Sequence, residues 1–200
     1  HTRWATHGVP SKQNAHPHVC NNEIALVHNG IIENHEVLRK QQLAAGHVFD
    51  SATDTEVIVH AVYDYWKQSS NLLEAVQQTI KTLDGAYALG VVETANNQRI
   101  IAARKGSPLV IGLADGEYFI ASDVFALLGE ATQFIYLEDG DIADISLDGL
   151  VIYDQSGEEV IRPITETELK ADNIGLGRYQ HYMQKEIFEQ AAVIRNTFKG

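Results

Sequence analysis

The sequence predicts an α+β fold in which helices come first and hairpin-joined strands follow. Apolar residues recur at helical spacing through residues 34–83, whereas short β-type runs separated by turn pairs occupy residues 86–153. The chain has 200 residues, of which 44% are hydrophobic and 21% charged, so it can bury a sizeable core. Segregated helices and hairpin strands are typical of antiparallel sheets covered by helices.

The helical half follows a short strand predicted at residues 23–27, which ends in a turn at Asn29-Gly30. Three helices are then expected, each with its own start and stop signals. In chain order these signals are Asn34 and Gly46, a capping box of Thr53 and Glu56, and Asn71 with Asp84-Gly85.

Seven short apolar runs predict the strands of the second half, and Asp148-Gly149 predicts a tight hairpin between the last two. The runs are residues 86–92, 99–103, 109–113, 117–121, 134–137, 141–146 and 150–153, with a brief helix at 123–128. Residues 158–177 are expected to form a polar connection, and residues 178–190 begin a final helix. We therefore divide the chain into a domain at residues 1–157 and a connecting segment at residues 158–200.

Charge and hydropathy argue against several classes of protein. A formal net charge of −12 and a pI near 5.1 argue against nucleic-acid or membrane-surface partners, which need clustered Lys and Arg. The longest apolar runs are too short to span a bilayer. The single cysteine, Cys20, forms no internal disulfide, which agrees with a cytoplasmic location.

The nine histidines raise the question of a metal site. Three of them, His7, His16 and His18, are close in sequence, but the chain has neither an H-E-x-x-H pair nor a C-x-x-C pair. We predict no metal ion and no cofactor, and we interpret five further histidines as structural or exposed: His28, His35, His47, His60 and His181. No phosphate-binding glycine motif is present, and Cys20 is interpreted as an inert small residue.

A more coherent set of residues suggests an amino-acid site. Arg3 can pair with an α-carboxylate, and Asp54 can accept hydrogen bonds from an α-ammonium group. The Asn29 amide and the Gly30 backbone N–H can donate to a developing oxyanion in acyl transfer. The alternatives are that Asp54 serves only the helix end and that Asn29-Gly30 is an ordinary turn.

Long motifs give the sequence a family resemblance. It strongly resembles the glutaminase domain of the glutamine–fructose-6-phosphate aminotransferase family, which belongs to the class II glutamine amidotransferases. The motifs are residues 1–8 (HTRWATHG), 14–18 (NAHPH), 28–34 (HNGIIEN), 53–56 (TDTE), 106–110 (GSPLV), 121–123 (ASD) and 178–190.

The resemblance implies a fold and a reaction. The fold would be that of the N-terminal-nucleophile hydrolases, two antiparallel sheets between helical layers. The implied reaction is attack of a thiolate on the carboxamide of L-glutamine, which releases ammonia and, after hydrolysis of a thioester, L-glutamate. Ammonia would pass to a sugar-isomerase domain that aminates fructose 6-phosphate to glucosamine 6-phosphate, in a protein that is a homodimer when full length.

The resemblance also assigns roles to individual residues. It implies that Arg3 binds the α-carboxylate of glutamine, that Asp54 holds the α-amino group, and that Asn29 and Gly30 form the oxyanion hole. The residues implied to shape the carboxylate pocket are Trp4, Thr6 and His7.

One departure from the family pattern concerns the nucleophile. In the family it is an N-terminal cysteine whose α-amino group acts as the base, whereas this chain starts at His1 and Cys20 does not match that motif. We expect a fold that lacks its N-terminal part, and a fragment that binds glutamine weakly and does not hydrolyse it. The alternatives are the glutaminase half of another class II amidotransferase, such as asparagine synthetase or amidophosphoribosyltransferase, a non-catalytic amino-acid-binding module, or an interaction domain with surface histidines.

Overall fold

The computed structural model describes residues 8–96, 98–167 and 177–197, apart from the side chains of residues 192, 196 and 197. The chain divides into two compact units, residues 1–167 and residues 168–200. Within the described residues, no helix combines the length and the apolar character needed to cross a membrane.

Two antiparallel sheets form the framework of the first unit. Their strands are β1 His18–Cys20, β2 Ile24–Ile32, β3 Gly85–Glu93, β4 Arg99–Lys105, β5 Val110–Ala114, β6 Glu117–Ala121, β7 Gln133–Tyr136, β8 Ile142–Ser146, β9 Gly149–Tyr153, β10 Glu159–Val160 and β11 Ile164–Glu166. The larger sheet has seven strands in the order β1-β2-β3-β4-β8-β9-β10, and the smaller has four in the order β11-β7-β5-β6.

The two sheets pack face to face through small and branched residues. Ala102 and Ala143 of the larger sheet belong to the same buried cluster as Ile111 and Ile135 of the smaller sheet. Such alternating inward side chains are what a sheet-on-sheet core requires. On the outer side of the smaller sheet, a short 3-10 helix at Val124–Ala126 and the residues after it pack against Phe134.

Three helices cover the other face of the larger sheet. They are α1 His35–Ala44, α2 Thr55–Ser69 and α3 Leu72–Ile80. Residues Val57, Ile58 and Val62 of α2 are fully buried in one cluster with Ile24 of β2. The predicted α+β fold class, with antiparallel sheets and segregated helices, is therefore confirmed.

The helix starts differ in part from the sequence prediction. The Asn71 side chain caps α3 as expected, since it accepts from the backbone N–H groups of Leu73 and Glu74. The capping box predicted from Thr53 and Glu56 is wrong, because α2 begins at Thr55 and the Glu56 carboxylate accepts hydrogen bonds from the preceding loop instead.

Residues 28–30 form a strand and not the predicted turn. β2 continues through them to Ile32, and Gly30 lies opposite Tyr87 of β3. Gly30 has φ +146°, and a Cβ built on it would lie 2.1 Å from the carbonyl oxygen of Ala86. A glycine is thus required here by the close approach of two strands.

The polar connection predicted to start at residue 158 contains two further strands. β10 pairs with β9, and β11 pairs with β7, so that the chain contributes to both sheets before Thr167. Apolar periodicity could not reveal these strands because they are only two and three residues long. The second unit contains α4, Tyr182–Thr197, which agrees with the predicted final helix.

Candidate functional site

The site is organised by the end of β2, where Asn29 and Gly30 lie. Pairing with β3 fixes both residues, since Asn29 lies opposite Ala88 and Gly30 opposite Tyr87. The Asn29 side chain is exposed, and its Nδ2 donates a hydrogen bond of 3.2 Å to Ser122 Oγ. An amide donor is therefore held at the surface of the sheet edge, and a serine from the loop after β6 fixes its orientation.

Asp54 contacts the same strand from the start of α2. Its carboxylate is buried, and Oδ2 accepts a hydrogen bond of 2.8 Å from the backbone N–H of Ile32. Ile32 is two residues beyond Gly30 on β2. The structure thus bonds Asp54 to the strand that carries Asn29 and Gly30, the two other residues of this group that the sequence proposed for the site.

Histidines hold the N-terminus of α2 against the strands. Thr55 Oγ1 lies 3.1 Å from His28 Nδ1 and 3.3 Å from His16 Nε2. Thr53 Oγ1 lies 3.0 Å from His18 Nε2. Sequence reasoning considered His16 and His18 as metal ligands, whereas here they are hydrogen-bonded to threonine hydroxyl groups that flank Asp54.

His28 is buried beside the carboxylate of Asp54. Burial lowers the pKa of the His28 imidazole, and the negative charge of Asp54 counters that effect only in part. A neutral imidazole at pH 7 is the result. His28 therefore supports Asp54 by hydrogen bonding through Thr55 and does not cancel its charge.

Glu56 fixes the loop that precedes Asp54. Although burial of this carboxylate raises its pKa, the neighbouring His60 imidazole and hydrogen bonds from Ser51 and from the backbone of Asp50 and Ser51 outweigh that effect and bring the pKa to about 2. The hydrogen bonds from the Asp50 and Ser51 backbone N–H groups are both 2.8 Å long. An ionised Glu56 thus holds residues 50–51, and with them the approach to Asp54.

The opening segment packs against the same loop. Asn14 is buried, donates to the Val9 carbonyl at 2.8 Å and accepts from the Ala52 backbone N–H at 2.9 Å. Gly8 has φ +75° and lies against the Asn14 side chain. Residues 8–14 are therefore anchored beside the site, although the sequence argument gave Asn14 no role.

Comparison with known proteins shows the family to which the chain belongs. The family model described as a glutamine amidotransferase domain matches residues 1–129. The chain belongs to this glutamine amidotransferase family. The resemblance found in the sequence motifs is thus confirmed.

Curated relatives and solved structures agree with this assignment. The chain is 52% identical over 200 residues to the glutamine–fructose-6-phosphate aminotransferases (isomerizing) of Idiomarina loihiensis and Vibrio vulnificus. Each match covers 100% of this chain and 33% of the relative, so the chain spans about a third of the length of these proteins.

Among solved structures, the glutamine phosphoribosylpyrophosphate amidotransferase from B. subtilis superposes with a TM-score of 0.65 at 28% identity. That match covers 80% of this chain and 35% of the other. A glutamine aminotransferase class-II domain protein from Silicibacter pomeroyi matches with a TM-score of 0.52 at 20% identity, which shows the shared fold alone. The amidotransferase domain thus has the fold of the N-terminal-nucleophile hydrolases, as the family resemblance implied.

Four predicted pocket residues of the amidotransferase domain lie outside the described residues. These are Arg3, Trp4, Thr6 and His7. Their roles remain those implied by the family resemblance.

Cys20 lies in the core and not at the site. It is only 3% exposed, and burial, followed by the charges of Asp64, Glu23 and Glu56, raises the pKa of its thiol to about 12. Its strand partner is Ile24, and Asn29 lies five residues further along β2, roughly 17 Å away at the rise of a strand. The structure thus places Cys20 far from the proposed oxyanion donors.

Proposed function

We propose that this chain is the glutamine-hydrolysing part of an enzyme that makes glucosamine 6-phosphate from fructose 6-phosphate and L-glutamine. The single observation that carries the proposal is the hydrogen bond from the Ile32 backbone N–H to Asp54, which ties a buried carboxylate to β2, the strand that carries Asn29 and Gly30. Relatives with 52% identity over all 200 residues support the choice of this enzyme over other class II amidotransferases.

In this proposal four residues divide the recognition of glutamine between them. The Asp54 carboxylate binds the α-ammonium group, and Arg3 binds the α-carboxylate. The Asn29 side-chain amide and the Gly30 backbone N–H donate hydrogen bonds to the carboxamide oxygen as negative charge develops on it. The residues proposed to shape the carboxylate end of the pocket are Trp4, Thr6 and His7.

We propose further that residues 1–200 alone bind glutamine without hydrolysing it. Cys20 is buried and its thiol has a raised pKa, so it supplies no thiolate to the site. A nucleophile from another segment of the natural protein would complete the reaction, and glutamate and ammonia would be its products. No cofactor is part of this mechanism.

The larger assembly is part of the same proposal. Residues 1–157 form the glutaminase domain, extended by β10 and β11 to Thr167, and residues 168–200 lead toward a sugar-isomerase domain. The chain covers only a third of the length of its curated relatives, and this supports a further domain of this kind. We also propose a homodimer and a cytoplasmic location for the natural protein, the latter supported by a buried free cysteine.

Titration calorimetry of L-glutamate, the product that keeps both α-groups, against the natural protein that contains these residues tests the proposal. Asp54→Asn keeps the shape and one acceptor oxygen but removes the charge that pairs with the ammonium group. Because hydrogen bonds to charged groups contribute about 1.5–3 kcal/mol, we expect the Kd to rise by roughly 10–150-fold.

Asp115→Asn is the matched control, since Asp115 lies in the exposed turn between β5 and β6. It should leave the Kd unchanged. Absence of glutamate binding by the wild type, or equal Kd values for wild type and Asp54→Asn, would exclude the proposed site.

A further inference from the structure

A second cluster of polar residues lies on the covered side of the larger sheet, away from the site at the end of β2. It consists of Cys20, His47 and His60, which we call the Cys20 cluster. One ligand atom of each residue lies within 4.8 Å of the other two, and Cys20 Sγ is 3.3 Å from His60 Nδ1. The residues come from three separate elements, namely β1, the segment after α1, and α2.

These separations agree with tetrahedral coordination. Zinc bonds of about 2.3 Å to sulfur and about 2.0–2.1 Å to nitrogen place neighbouring ligand atoms roughly 3.3–3.6 Å apart. The distance from Cys20 Sγ to His60 Nδ1 already lies at that value. Small side-chain rotations would bring the His47 nitrogen from within 4.8 Å to the same spacing.

Each histidine also has a carboxylate near its Nε2 atom. His47 Nε2 lies 2.9 Å from both carboxylate oxygens of Asp64, and His60 Nε2 lies 3.7 Å from Glu56 Oε1. Metal-ligating histidines characteristically direct their second ring nitrogen to a carboxylate, which fixes the tautomer and the ring orientation. For His60, this leaves Nδ1, the nitrogen that faces Cys20, as the ligand.

Burial separates the cluster from ordinary surface histidines. Cys20 and His60 are 3% and 5% exposed, while the side chain of His47 is 12% exposed and lies nearest to solvent. The Phe49 ring packs edge-on against His60, with ring centroids 4.7 Å apart. The cluster is thus nearly closed, and the His47 side offers a route for an ion.

We propose that Cys20, His47 and His60 bind one Zn²⁺ ion, with Asp64 and Glu56 orienting the two imidazole rings. One sulfur and two nitrogen ligands suit zinc, and three protein ligands leave a fourth position for water. Binding releases the thiol proton to solvent as the sulfur becomes a zinc-bound thiolate. The ion would join β1 and the segment after α1 to α2, the helix that carries Asp54 at its start.

Titration with Co²⁺ and Zn²⁺ tests this proposal in the chelator-treated natural protein that contains these residues. We expect one Co²⁺ ion per chain at this site, with thiolate-to-cobalt charge-transfer absorption and the visible bands of a tetrahedral ion, and displacement by Zn²⁺. Cys20→Ser should remove the charge-transfer absorption. Asp64→Asn, at a side chain 43% exposed, should weaken Zn²⁺ binding by about 10–100-fold without unfolding the protein.

His35→Gln provides the control, because His35 lies on α1 and its Nδ1 hydrogen-bonds the Ile32 carbonyl. It should bind both metals as the wild type does. Bound Co²⁺ without thiolate charge transfer would overturn the proposal. So would a Zn²⁺ affinity that is the same in wild type, Cys20→Ser and Asp64→Asn.

Discussion

Replacement of Gly30 by alanine tests the close packing of β2 on β3. An added Cβ would lie 2.1 Å from the Ala86 carbonyl oxygen and 2.9 Å from Tyr87 Cα, which is about 1 Å inside an ordinary contact at the oxygen. The strained backbone at φ +146° costs about 1–3 kcal/mol for a non-glycine residue, and overpacking adds about 1–3 kcal/mol. We expect Gly30→Ala to lower the free energy of unfolding by about 2–6 kcal/mol.

Gly149→Ala separates the two contributions. Gly149 has φ +143°, nearly the same as Gly30, but nothing lies within 4 Å of the position of an added Cβ. Urea unfolding followed by circular dichroism gives the midpoint and slope for both variants. We expect a greater loss of stability for Gly30→Ala than for Gly149→Ala, by about 1–3 kcal/mol. Equal losses would refute the argument that the strands approach too closely for a side chain.

Three further predictions concern Glu56, Cys20 and Arg3. The pKa of Glu56 is lowered to about 2, so the stability that its ionised carboxylate contributes is complete above about pH 4.5 and is lost as the pH falls toward 2. Glu56→Gln should therefore lower the free energy of unfolding by about 3 kcal/mol at pH 7 and by much less at pH 2. A loss that urea unfolding shows to be independent of pH would contradict this prediction. In metal-free native protein at pH 8, the buried Cys20 should react with iodoacetamide far more slowly than in urea; equal labelling rates by mass spectrometry would show an accessible thiolate. Arg3→Ala should raise the KM for glutamine by roughly 10–150-fold with little change in kcat, as measured by the steady-state rate of glutamate release. A fall in kcat with an unchanged KM would argue against a contact between Arg3 and the α-carboxylate.

Sequence patterns predicted the elements with long periodic signals and missed those that tertiary contacts determine. The apolar face of α2 and the Asn71 cap of α3 could be read directly, since both are local properties. Asn29-Gly30 was interpreted as a turn because that dipeptide is common in turns. In the fold, a glycine is required at position 30 because the strand passes close to Ala86. Ala86 is 56 positions away in the chain, so a local sequence pattern cannot indicate this contact.

The same distinction applies to the candidate site. Residue chemistry and the family resemblance selected Asn29, Gly30 and Asp54. The fold places Asn29 and Gly30 on β2 and bonds Asp54 to Ile32 of the same strand. The hydrogen bond between Asn29 and Ser122 depends on the position of the loop after β6. Apart from the short motif at residues 121–123, the local sequence does not indicate this contact.

The histidines show most clearly that closeness in sequence does not predict closeness in the fold. Those adjacent in sequence, such as His16 and His18, bind threonine hydroxyl groups, whereas His47 and His60 converge on Cys20 from separate elements.

The most direct test of the central claim is the steady-state kinetics of glutamate release by Asn29→Ala in the natural protein that contains these residues. Asn22→Ala is a suitable control, because Asn22 is an exposed asparagine in the turn between β1 and β2. If Asn29 Nδ2 donates to the developing oxyanion, kcat should fall by about 10²–10³ while the KM for glutamine changes little. A variant that keeps its kcat and changes only KM would contradict the account.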